Sequence, residues 1–235
     1  MEELLRNFAE DPQRAAVLLD VDGVLAPIVL RPEDAHVPDE TRAEVERLAG
    51  KYSLVACVSG RTSADAERIV GVRGVVYVGS HGLELAPEAD PWRSRLHQFG
   101  QQVDWPVEDK GLTVSFHYRG VDDEEAAREK LERVAEAARL EGLLARFGRK
   151  VLELRPPIEA DKGTAVQALL IDRGLHRALY AGDDTTDLDA FRALDGLELA
   201  VRVAVSSDEA PPELVRTADV IVVGTEELLE ILRGL

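Results

Sequence analysis

Basic residues are scarce in this 235-residue chain, where 28 Lys and Arg stand against 45 Asp and Glu for a formal net charge of −17. That balance excludes partners that reward a basic face, nucleic acid and anionic membrane surfaces. An anionic small molecule would have to be drawn in by a local positive group or a metal, against the field of the whole protein. Cysteine is nearly missing too. Cys57, within "SLVACVSG", is the only one in the sequence, so no intramolecular disulfide forms and a reducing, intracellular compartment is expected. Its apolar neighbours read it as a buried structural thiol rather than a nucleophile. No stretch reaches the ~18 uninterrupted apolar residues of a membrane span. "MEELLRNFAEDPQRAA" has no basic segment leading into a continuous apolar run, so no secretory signal and a cytoplasmic location are expected. Repeats, low-complexity linkers and an obvious apolar seam are absent, and a monomer is the expectation.

What is present is an alternation of short β-rich runs with amphipathic helical ones, the pattern of a doubly wound, mostly parallel α/β sheet. "AAVLLD" (15–20) is a continuous apolar strand, as expected when both faces of a sheet are covered. "PDETRAEVERLAG" (38–50) reads as a helix stopped by Gly50, "SLVACVS" (53–59) as a strand, "TSADAERIVG" as a helix ending at Gly71, and "VVYVG" (75–79) as a strand. The rhythm then changes. Both tryptophans, the alternating strands "LTVSFHYR" (112–119) and "KVLELRP" (150–156), and a long charged helix over 122–140 fall together. These predict an α+β insert, residues 85–157, between core segments 1–84 and 158–235. A helix over 161–174, a strand at "ALYAG", a helix at "TTDLDAFRAL", strands at "LELAVRVA" and "DVIVV", and the helix "TEELLEILRGL" resume the core.

Four polar constellations sit at the C-terminal ends of core strands or in the turns beyond them, the edge where open α/β sheets bind ligands. In Asp20-Val21-Asp22-Gly23 the i, i+2 spacing sends both carboxylates to one side of an extended segment, and Gly23 permits a sharp turn. A strand-end Asx turn is the alternative. Ser59-Gly60-Arg61 offers a hydroxyl and backbone N–H groups to an oxyanion, or simply a turn and helix cap. Lys162 lies in a helix first turn, where the dipole opposes it unless an anion is bound; the alternative is a solvated surface lysine. "AGDDTTDLDAF" brings Asp183, Asp184 and Asp187 to one strand-to-helix turn, a set of oxygen ligands suited to a hard cation such as Mg²⁺. Capping by Asp184 or Thr185 accounts for only part of it.

In this order the four motifs resemble those of the haloacid dehalogenase-like phosphatases. The resemblance implies that Asp20 is the nucleophile, forming an aspartyl-phosphate, and that Asp22 protonates the leaving oxygen and then activates water. It implies that Ser59 and Lys162 hold the phosphate oxygens, and that Mg²⁺ sits among Asp20, the Asp22 carbonyl and Asp183, supported by Asp184. The insert occupies the position of the larger cap of sugar phosphatases. "DVDGVLAPIVLRPEDAHV", "GSHGLEL", "VEDKGLTVSFHYR" and "GRKVLELRPPIEADKGTA" are similar to stretches of one branch, the trehalose-6-phosphate phosphatases. Carried over by position, Gly60, Arg61, His81 and Gly82 line the core side of a sugar-phosphate pocket. Lys150 and Glu153 grip sugar hydroxyls from the cap, while Lys110, His117 and Arg119 support the cap strand. Val24 and Leu188 depart from the family pattern, and His36, His97 and His176 read as surface or structural. The resemblance thus implies a Mg²⁺-dependent trehalose 6-phosphate phosphatase of trehalose biosynthesis. The alternatives are the same chemistry on sucrose phosphate or mannosyl-3-phosphoglycerate, and a non-catalytic sugar-phosphate sensor.

Overall fold

Strand β1 (Ala15–Leu19) sends Ala15, Val17 and Leu19 into one apolar cluster and Ala16 and Leu18 into another, and all five are fully buried. A strand covered on both faces has no polar side, which is why its sequence is a continuous apolar run. The structure, a computed structural model, describes residues 2–29, 31–148, 150–207 and 210–235. Leu30 and Arg149, inside two of the stretches quoted above, fall outside these, as does the Pro32 side chain. The chain forms two compact units, Met1–Leu85 with Ala160–Leu235, and Ala86–Glu159.

The first unit opens with α1 (Glu2–Ala9) before β1, then α2 (Asp39–Lys51), β2 (Leu54–Val58), α3 (Ser63–Val70) and β3 (Val76–Val78). The second unit contains α4 (Asp90–Gln102), β4 (Glu108–Asp109), β5 (Val114–His117), α5 (Glu124–Leu140), β6 (Leu144–Gly148) and β7 (Val151–Arg155). The first unit resumes with α6 (Lys162–Arg173), β8 (Arg177–Gly182), α7 (Asp187–Ala193), β9 (Leu199–Ser206), α8 (Pro212–Thr217), β10 (Val220–Val223) and α9 (Gly224–Gly234). Its six strands form a parallel sheet in the order β10-β9-β8-β1-β2-β3. Buried side chains of α1, α2, α3 and α9 cover one face, those of α6, α7 and α8 the other. This is the doubly wound α/β class read from the sequence. Strand order runs outward from β1 in both directions, so the C-terminal ends of β1, β2 and β8 border the topological switch point where such sheets bind ligands.

The second unit is an antiparallel sheet, β4-β5-β7-β6, whose inner face (Val114, Phe116, Leu152, Leu154) packs with Leu96 and Phe99 of α4 and Leu131 and Ala135 of α5. Strands β5 and β7 and helix α5 lie where the sequence reading puts them, while α4, β4 and β6 are additions. Helix α4 has few apolar residues, and Pro91 at its start and Gly100 inside it look like breakers in sequence. Strand β6 is an edge strand with Leu144 exposed, so its pattern is weak. One boundary also moves: α2 runs through Gly50 to Lys51 rather than stopping at the glycine. Among the described residues no helix is long and apolar enough to cross a membrane.

Candidate active site

Asp20 follows β1 directly and extends its ladder, its N–H donating to the Ala181 carbonyl at 3.0 Å. Its Oδ1 accepts from the Val21 N–H at 2.7 Å and its Oδ2 from Lys162 Nζ at 2.7 Å. Lys162, the first residue of α6, is 2% exposed and donates a second bond, also 2.7 Å, to Asp187 Oδ1. Asp161 caps this helix with a capping box, which fixes the turn from which Lys162 reaches inward. Asp187 is fully buried and accepts four hydrogen bonds. Lys162 and the Tyr180 hydroxyl (2.7 Å) share Oδ1, and the Asp183 and Asp184 N–H groups (2.9 and 3.0 Å) share Oδ2. Four bonds use a carboxylate's lone pairs fully. Asp187 therefore fastens the acidic turn to the lysine.

One oxygen each of Asp20, Asp183 and Asp187 lies within 4.8 Å of the other two, so the three can hold a metal ion. Because Asp187 is already saturated, Asp20 and Asp183 are the two of the triad that line the cavity. Asp184, expected as a ligand, stays outside the triad: it is exposed at the cavity wall and its Oδ1 accepts from the Thr185 N–H at 2.6 Å. Gly23 has a left-handed backbone, φ 75°, and a Cβ there would collide with the Asp183 carboxylate. Glycine is thus what lets the β1 turn and the β8 turn close on one another.

Burial sets the electrostatics. It pushes the Asp20 carboxyl up to about 7 despite Lys162, and the Asp183 carboxyl up to about 8, with Asp20 and Asp187 adding repulsion. Burial alone would lower the Lys162 ammonium, but Asp187 and Asp20 outweigh it and hold the group above the ordinary lysine value. One ammonium among three crowded carboxylates leaves an excess of negative charge that a divalent cation would relieve. All-oxygen, carboxylate donors suit a hard ion such as Mg²⁺, and the residues present therefore fit the metal expected.

The cavity has a volume of about 360 Å³ and is lined by Asp20, Asp22, Ser59, Gly60, His81 and Lys162 together with Asp183 and Asp184. Ile28, Thr186 and Ser207 complete it; the first two lie inside quoted motifs without having been singled out for the site, and Ser207 lies in none. Ser59 is buried at the end of β2. The Ser80 and His81 N–H groups donate to the Arg61 and Ser59 carbonyls at 2.7 and 2.9 Å, tying the 80–81 loop to the serine turn. Both residues have left-handed φ, 52° and 53°, a strained conformation for a non-glycine that aims the His81 ring at the cavity. A Cβ at Gly60 would run into that ring. Gly82 lies elsewhere than expected, since it packs against the backbone before α6 instead of lining the cavity.

Arg61 also differs from its sequence reading. It is absent from the cavity lining, because its fork is captured by Asp22 on one side and by Asp65, one turn along, on the other. Lys150 and Glu153 belong to the second unit. Lys150 pairs with Glu124, and Glu153 is half-buried on the face of β7 opposite Leu152 and Leu154. On that same face Glu108 receives His117 at 2.8 Å and Lys110 at 3.2 Å. His36, His97 and His176 are exposed. Val24 and Leu188 are buried in the two core clusters, where an apolar side chain packs well.

The parallel sheet that carries the paired carboxylates, the lysine at a helix start and the acidic turn has the fold of haloacid dehalogenase-like proteins. A haloacid dehalogenase-like hydrolase from Bacteroides thetaiotaomicron superposes with a TM-score of 0.63 at 16% identity, over 94% of this chain and 99% of that one. The chain belongs to the trehalose-phosphatase family, whose family model matches residues 18–106 and 96–214. It is 32% identical over 83% of its length to the probable trehalose-phosphate phosphatase G of Arabidopsis thaliana, and the match covers 62% of that relative, so less than two thirds of it is spanned. The C-terminal domain of the Candida albicans trehalose-6-phosphate phosphatase has the same fold, with a TM-score of 0.74 at 22% identity over 98% of this chain and 95% of that one.

Proposed function

We propose that the protein is a phosphoric monoester hydrolase that converts trehalose 6-phosphate to trehalose and phosphate, in trehalose biosynthesis. The observation that carries the chemistry is the Lys162 bridge, which holds Asp20 at 2.7 Å beside Asp183 in a 360 Å³ cavity. The choice of sugar rests on family membership.

Asp20 attacks phosphorus and forms an aspartyl-phosphate, while Asp22, at the cavity wall, gives a proton to the departing sugar oxygen. Asp22 then takes a proton from the water that hydrolyses the acyl phosphate. Lys162 and Ser59 hold the phosphate oxygens. Asp20, Asp183 and the Asp22 carbonyl would hold Mg²⁺, which when bound would supply charge neutralisation for the transferring group. A net charge of −17 is no obstacle to an anionic ester once that local positive charge is in place. Residues 86–159 are read as the cap, with Lys150 and Glu153 as candidates for the sugar hydroxyls, where unpaired buried donors would penalise a wrong sugar. A monomeric, cytoplasmic enzyme is the working expectation.

Phosphate release across trehalose 6-phosphate, sucrose 6-phosphate, mannosyl-3-phosphoglycerate and glucose 6-phosphate tests the reading. Trehalose 6-phosphate should be preferred, with release stopped by chelator and restored by Mg²⁺. Comparable rates on all four would overturn the sugar assignment, and no release from any would point to a sensor.

A further inference from the structure

Arg61 does not face the cavity, yet its guanidinium is among the most fully engaged cations in the first unit. Its Nε and Nη2 donate to the two oxygens of Asp22 at 2.7 and 2.8 Å, a bidentate fork. Its Nη1 donates to Asp65 Oδ2 at 2.7 Å. Asp65 Oδ1 is held in turn by Arg68 at 2.6 Å, and the Asp65 backbone is fixed by the Thr62 cap at the start of α3. The Arg61 side chain is only 14% exposed. A planar fork on both oxygens fixes the orientation of a carboxylate as well as its position, which a lysine cannot do.

We infer that Arg61 and Asp65 are positioning residues that brace the Asp22 carboxylate at the cavity wall for proton transfer to the leaving oxygen. This rests on the phosphatase reading above. Arg61 takes one lone pair of each Asp22 oxygen and a carboxylate oxygen has two, so the brace itself does not block the cavity side. In the step it serves, the Asp20 oxygen–phosphorus bond forms as the phosphorus–leaving-oxygen bond breaks, and the Asp22 proton passes to that oxygen. The leaving group leaves as a neutral alcohol. An alkyl ester needs that proton. An aryl ester such as p-nitrophenyl phosphate does not, since its phenolate leaves unaided.

The test is the first turnover, followed as release of alcohol or phenol, in Arg61→Lys, Arg61→Ala and Asp65→Asn proteins with trehalose 6-phosphate and p-nitrophenyl phosphate. For Arg61→Ala the sugar ester should slow about 100-fold, because a misaligned group loses about that much. The aryl ester should change by less than about threefold, since a departing phenolate gains little from general acid help. Arg61→Lys should not rescue the sugar ester, and Asp65→Asn should show a smaller loss with the same selectivity. Equal losses on both esters would mean a merely structural role and overturn the inference. A raised KM for trehalose 6-phosphate at unchanged kcat would do so as well, placing Arg61 on the sugar. Two controls separate the levels: no phosphate release by the unaltered protein sinks the phosphatase reading itself, while activity retained in Asp20→Asn sinks the assignment of Asp20 as nucleophile, whatever the Arg61 variants do.

Discussion

At the C-terminal edge of the parallel sheet, Lys162, Asp187, Asp20 and Ser59 are almost wholly removed from water, each with charged or hydrogen-bonding partners. Ion pairs of residues 86–159 such as Arg128–Glu132, whose side chains are 58% and 53% exposed, stand in solvent instead. The difference teaches where chemistry resides. Buried charges are costly and persist where a site requires them, whereas surface pairs are screened and individually worth little. On the proposed reading the chemistry is concentrated in a few residues of the first unit, while the second is packed around its apolar cluster.

The contrast can be broken most forcefully at Lys162. Lys162→Met should lower phosphate release by about 10²–10³-fold, the scale of losing one charge-stabilising donor. It should also cost about 3–5 kcal/mol of stability by leaving Asp20 and Asp187 unpaired, read from denaturant melts. A fully active Lys162→Met protein would remove the lysine from the chemistry. In the second unit the matching change is Leu131→Ala, at a fully buried position of α5. A loss of about 2–5 kcal/mol is expected there, with hydrogen exchange rising in residues 86–159 while the parallel sheet stays protected. Uniform loss of protection would show that the two units unfold as one.

A gentler probe is pH. Asp20 and Asp183 titrate near 7 and 8 in the fold, above the ordinary carboxylate value of 3.8. The folded state therefore binds these protons more tightly than the unfolded chain. Their contribution to stability is fully present below pH about 4 and declines as pH climbs through the two folded values. Mg²⁺ favours the ionised carboxylates, so its increase in Tm over a chelated sample should grow from pH 6 to pH 9. A constant increase would argue that Asp20 and Asp183 do not hold the ion. The smallest effect is expected for Arg128→Ala, at most about 1 kcal/mol in a melt.

Much of the site was legible because strand ends are. Asp20, Asp22, Ser59 and Asp183 each follow an apolar run, and Lys162 opens a helix after a capping aspartate, so topology brings them together. What sequence hides is partnership. Tyr180 sits inside "ALYAG" and looks like one more strand residue, yet its hydroxyl reaches Asp187. Among three neighbouring acids, nothing in the order of letters says that Asp187 is the buried anchor and Asp184 the exposed one. Arg61 follows Ser59 closely enough to suggest a pocket residue, and only the fold shows Asp22 and Asp65 capturing its fork. In the second unit α4 and β6 were obscured by sparse apolar spacing and edge exposure.

Asp20 is where the account is most exposed to contradiction. Phosphate release from trehalose 6-phosphate in Mg²⁺ should be clear for the unaltered protein. Asp20→Asn, which removes a buried negative charge and keeps the shape, should reduce it by about 10⁴-fold or more, the scale of losing a nucleophile. Release by Asp20→Asn at a rate near that of the unaltered protein would contradict the central claim.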